Sequence, residues 1–100
     1  MIKEEIARLL EDTYSIGDHA PSVTRVMCKD DVNFYGYFNS FSDYTDLKEK
    51  NQFRFIPRNN LKAFKEEFTK KGSYNSTYSI ILNGDDIIDI EFVMPLQLHI

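Results

Sequence analysis

The hydrophobic period of this chain changes from helical to extended near residue 23, and back again near residue 60. Ile2, Ile6, Leu9 and Leu10 recur at helical spacing, which puts them on one face of an amphipathic helix over residues 2–12. Glu4 and Glu5 fall in its first turn, where the helix field favours carboxylates. Gly17 and Ala20-Pro21 end this helix or link it onward. From Val23 the period is two. Val26 and Cys28 alternate with Arg25, Met27 and Lys29, and the polar run Lys29-Asp-Asp31 reverses the chain. Val32, Phe34, Gly36 and Phe38 then alternate with Asn33, Tyr35, Tyr37 and Asn39. A glycine inside so bulky a strand marks a sharp bend or a close backbone approach.

A third strand, Asn51–Ile56, is closed by Pro57. Leu61, Phe64 and Phe68 form the apolar stripe of a helix over residues 60–70, with Asn59 or Asn60 as cap and Gly72 as stop. Tyr78 to Leu82 reads as a strand running into Asn83-Gly84, the strongest short signal for a tight hairpin. Ile88, Ile90 and Phe92 alternate with Asp89 and Glu91 as the return strand. After Pro95, the repeat of Leu96, Leu98 and Ile100 predicts a last edge strand or a segment that docks on a partner.

These elements describe one domain over residues 1–100 that is mainly β with two helices. Its strands lie within 23–56 and 78–93, and Gly36 lets a small five-stranded sheet bend into a barrel. Composition sharpens the picture only in places. The chain is 42% hydrophobic and 14% aromatic, enough for one core and unlike a disordered chain. The net charge of −4 withholds the broad cationic field on which non-specific nucleic-acid binding rests. A single cysteine, Cys28, excludes an intramolecular disulfide and any multi-cysteine metal site. No apolar run approaches the roughly 18–20 residues that cross a bilayer. The mixed-charge N-terminus is unlike a signal peptide, and the expectation is a cytoplasmic protein with no membrane partner.

The strand motifs resemble the Sm-like family of small, SH3-like bent barrels with five strands and an N-terminal helix. Cys28-Lys29-Asp30, Phe34, Gly36, Phe38, Ser40-Phe41 and Asp43-Tyr44 are similar to its first motif, and Ile80 to Ile90 to its second. The resemblance implies a five-stranded barrel, here with an inserted helix at 60–70. In members that bind RNA, an asparagine and an arginine do the recognition. The matching positions here are Asp46 and Asn83, which supply neither the base contact nor the cationic fork.

Candidate chemistry is sparse. His19 and His99 lack the further ligands zinc needs. Asp85, Asp86, Asp89 and Glu91 lack the length and ligand alternation of a calcium loop. No nucleophile elbow or phosphate-cradling glycine run is present. The chain therefore reads as a non-enzyme without cofactor or metal. Its abundant aromatics Tyr35, Tyr37, Phe41 and Tyr44 either lie under the N-terminal helix, the inserted helix or the C-terminal segment, or form an interaction surface. The expected function is protein interaction or self-association. The alternative is atypical binding of RNA or another single strand through Tyr44, Arg54 and Arg58, with no DNA partner expected.

Overall fold

The computed structural model describes residues 1–14, 23–39, 41–72 and 76–93. The readings placed on Gly17, His19, Ala20-Pro21, Ser40 and the segment from Pro95 to Ile100 lie outside them. In chain order the elements are α1 (Lys3–Tyr14), β1 (Val23–Cys28), β2 (Asn33–Phe38), α2 (Tyr44–Glu49), β3 (Gln52–Pro57), α3 (Leu61–Lys71), β4 (Ile80–Asn83) and β5 (Ile87–Val93). The strands form one antiparallel sheet in the order β4-β3-β2-β1-β5.

That order corrects the expected architecture. The sheet is open: among the described residues β4 and β5 are its two ends, and no ladder joins them. It is a mixed α and β fold, not the closed SH3-like or Sm-like barrel. Two local causes explain the difference. Asn83-Gly84 does not form the expected hairpin, since such a turn needs positive φ at both central residues. Asn83 instead has φ −86, and Gly84–Asp86 coils into one 3-10 turn. β5 leaves that turn to pair with β1, from Val23↔Val93 to Cys28↔Ile87. Gly36, read as a bend or a close backbone approach, serves close approach. A Cβ there would overlap the Ile56 carbonyl oxygen and lie 2.9 Å from both the Phe55 ring and the Pro57 Cα.

Period-two burial builds the core. β1 buries Thr24, Val26 and Cys28 and half-exposes the residues between them. Phe53 and Phe55 of β3 join Val26, Phe38, Leu82, Ile87 and Ile90, with Ile6 and Leu10 of α1 packed into the same cluster. Phe38 and Phe34 present their edges to Phe55 at centroid separations of 5.0 and 6.4 Å, the geometry that ring quadrupoles favour. Simple alternation fails in β5. The register passes from Met27↔Asp89 to Cys28↔Ile87, so Ile88 is an extra residue in a bulge. Ile87 takes the inward place, and Ile88 is 63% exposed.

Three separate turns meet at Asn51. It holds φ 58, a left-handed conformation that asparagine tolerates better than most residues. Its carbonyl accepts the Gly84 N–H at 2.7 Å. Its side-chain amide donates to the Met1 carbonyl at 3.2 Å and to Asp85 Oδ1 at 3.1 Å. The Met1 amine in turn donates to the carbonyls of Gly84 and Ile87, at 2.9 and 2.6 Å. Gly84 is buried against Asn51, whose amide a Cβ would overlap. Gly72 ends α3 as expected, at φ 70, its N–H bonded to the Phe68 carbonyl at 2.8 Å.

The two glycines predict different losses. Gly36→Ala forces β2 from β3 and is expected to cost about 3 kcal/mol or more. Gly72→Ala has open space around it and should cost only about 1–2 kcal/mol, for its positive φ. Urea unfolding of both variants checks the order. Equal losses would show that the β2–β3 approach relaxes freely.

Candidate interaction surface

Arg54 projects from β3 on the face opposite Phe53 and Phe55. Its Nε donates to Asp43 Oδ1 and Oδ2 at 3.2 and 2.9 Å, its Nη2 to Oδ2 at 2.8 Å, and its Nη1 to Ser79 Oγ at 3.1 Å. Charge-assisted, forked bonds of this kind are among the stronger polar contacts. The guanidinium carbon also sits 5.9 Å from the centroid of Phe41, whose ring meets Phe64 of α3 edge-on at 5.9 Å. Arg54 and Phe64 therefore clamp the segment before α2 between β3 and α3. Hydrogen bonding to Arg54 holds the Asp43 carboxyl below its usual range, against an opposing push from burial.

Tyr44, the first residue of α2, is tied to α1. Its hydroxyl donates to Glu11 Oε2 at 3.1 Å, its ring lies 6.4 Å from Phe53, and the Lys48 ammonium stands 5.4 Å from its centroid. Burial first, and then Glu11, pushes its phenol up to about 12. The helix that Tyr44 opens was not anticipated from the sequence. Its six residues, Tyr-Thr-Asp-Leu-Lys-Glu, carry no apolar stripe to announce it.

Tyr35 and Tyr37 are in a different setting on β2. Tyr35 is 43% exposed, and the Arg58 guanidinium carbon stands 5.7 Å over its ring. Asn33, Phe34, Pro57 and Asn59 complete a shallow depression of about 240 Å³ around this pair. Tyr37 is half-buried and pairs with Ile56. The predicted residues thus divide: Tyr35 meets Arg58 at the surface, while Phe41 with Arg54 and Tyr44 with Glu11 fasten helices to the sheet.

The pattern of the sequence missed a third group. Among the described residues, β4 pairs only with β3 and β5 only with β1. On β4, Ile81 is 44% exposed. A groove of about 350 Å³ runs between the β1–β2 turn and β4. The buried Cys28 and Leu82 form its floor, Val32, Phe34 and Ile81 its apolar wall, and the exposed Asp30 and Asp86 its mouth. Burial, with a lesser contribution from the Asp86 charge, pushes the Cys28 thiol up. The signal for this site was Asp30 and Asp31, which turn left-handed at φ 64 and 60. Their place across from β4 is set by pairing alone.

Among the described residues no group of three or more His, Cys, Asp or Glu side chains could hold a metal ion. No helix among them is long and apolar enough to cross a membrane. No protein-family model, curated protein or solved structure matches the chain. The Sm-like resemblance is overturned by the open sheet. Asp46 lies exposed in α2 and Asn83 at the exposed end of β4, with no shared barrel to make them equivalent to RNA-reading positions.

Two titrations test these ties. A depressed carboxyl contributes stability above its ordinary value near 4, which is lost as pH falls through its folded value. Asp43→Asn is therefore expected to lower stability at neutral pH by about 1 kcal/mol. The deficit should shrink in acid, as melting curves at both pH values would show. A raised phenol works in the opposite sense: its contribution is full below pH 10 and fades as pH rises through about 12. Ultraviolet titration should show a late tyrosine step that Tyr44→Phe removes.

Proposed function

We propose that this chain is a non-enzymatic protein-interaction module that receives a strand of its partner on the free edge of β4. An open edge offers unpaired N–H and C=O groups to any extended segment, and strand addition is a recurrent mode of peptide recognition. The observation that carries the reading is the contrast between the two edges. β5 has the usual protections of an edge, a bulge at Ile88 and the outward charges Asp89 and Glu91. β4, Ile80-Ile-Leu-Asn83, has no charge, no proline and no bulge; the contrast lies there, since both edges show an isoleucine, Ile81 at 44% and Ile88 at 63% exposure.

A second reading, binding of single-stranded nucleic acid, is favoured by the Arg58 guanidinium over the exposed Tyr35 ring. Such a pair combines a stacking surface with a cation for phosphate. Against it stands the engagement of Arg54 by Asp43 and of Tyr44 by Glu11.

Amide hydrogen exchange, followed while an extended peptide of alternating valine and threonine is titrated in, separates these readings. The expected result is new protection of β4 but not β5, lost in Ile81→Lys. Protection of β5 alone, or of neither edge, would overturn the proposal. Binding of single-stranded RNA that Tyr35→Ala and Arg58→Ala abolish would favour the second reading instead.

A further inference from the structure

We infer that the groove beside β4 makes this edge selective for an extended segment of another protein that carries lysine or arginine. The inference rests on the β4 reading and adds the chemistry of the partner. Three observations meet there. First, Val32 and Ile81, each 44% exposed, leave apolar surface open beside the outer edge of β4, which among the described residues pairs only with β3. Second, the groove volume of about 350 Å³ has room for one or two side chains of a strand laid along β4. Third, Asp30 and Asp86 reach its mouth from two different turns, and among the described residues neither forms an ion pair. Among the described residues Lys29 is the one cation that lines it.

A long cationic side chain matches this combination. Its methylene stem covers apolar surface while its charged end stays near water and carboxylate. In an added strand, alternate side chains face the same side, so one basic and one apolar residue two positions apart can both use the groove. The charge distribution of the chain points the same way. Residues 58–71 carry Arg58, Lys62, Lys65, Lys70 and Lys71 against two glutamates, so the rest of the chain holds −7 behind a net charge of −4.

A second copy fits poorly. Its β5 would bring Asp89 and Glu91 toward Asp30 and Asp86, and like charges across an interface disfavour that partner. Two β4 edges paired together would bring two acidic grooves near each other.

The test uses three labelled peptides, threonine throughout on one strand face and on the other face valine alternating, two positions apart, with lysine, threonine or glutamate, titrated by fluorescence anisotropy at low salt. The lysine peptide is expected to bind about tenfold or more tightly than the glutamate peptide, and the preference should shrink as salt rises. In Asp30→Asn/Asp86→Asn the preference should fall close to one. Asparagine tolerates the left-handed backbone at position 30, so this variant keeps the turn. Equal binding of all three peptides, abolished by Ile81→Lys, would overturn the basic-partner inference and leave strand addition standing. A lysine preference unchanged in the double variant would overturn the role of the groove. Absence of binding by any peptide would overturn both.

Discussion

Everything in this structure is arranged around the place where the backbone of β2 lies directly on β3. Gly36 has no side chain, and the space is taken by the Phe55 ring and the Ile56–Pro57 backbone. Phe55 is fully buried there, with the edges of Phe34 and Phe38 turned toward it. Interiors packed at this density transmit any misfit to their neighbours. The register of β2 on β3, and with it the position of every residue on the outer face, depends on this one missing methyl group.

The opposite face of β3 depends on polar fastening. Arg54 grips Asp43 with a forked set of bonds and lies over Phe41, and Phe41 carries the contact on to Phe64. Tyr44 and Glu11 join α2 to α1, helped by Lys3 and Glu49 at 3.3 Å. Aromatic side chains that would make a broad sticky surface in a bare sheet are thereby absorbed into the joints between layers. Among the described residues the large hydrophobics left exposed are Tyr35 beside Arg58, Val32 and Ile81 at the groove, and Ile2, Phe68 and Ile88 elsewhere.

Among the described residues, β4 and β5 follow one another in the chain across a short turn yet stand at the two ends of the sheet order. Gly84–Asp86 joins the two end strands directly, but β5 satisfies its hydrogen bonds on β1 and leaves β4 with one partner. Asn51 secures the turn from below through the Gly84 N–H and the Asp85 carboxylate. The edge of β4 thus rests on a well-fastened support, and the acidic residues of two turns lie beside it.

Much of the local structure was legible in the order of residues. The helical stripe of Ile6 and Leu10, the alternation of Val26 and Cys28, the turn at Lys29-Asp-Asp31 and the stop at Gly72 follow from side-chain period and backbone sterics. These are short-range effects, contained within a few neighbouring residues. Three features were not legible. The fate of Asn83-Gly84 depended on competition between a local hairpin and the distant β1 strand. The outward turn of Ile88 depended on a bulge that exists only relative to β1. The roles of Arg54, Phe41 and Tyr44 depended on which partners, 11 to 33 residues away in sequence for the two polar ties, came within reach. The sequence alone determined the helices α1 and α3, the extended segments of β1, β2 and β3, and the inward alternation of β1, but neither α2 nor the outward turn of Ile88. Tertiary structure alone decided which strand became an edge, because hydrogen-bond pairing between distant strands is settled by the packing of the whole sheet.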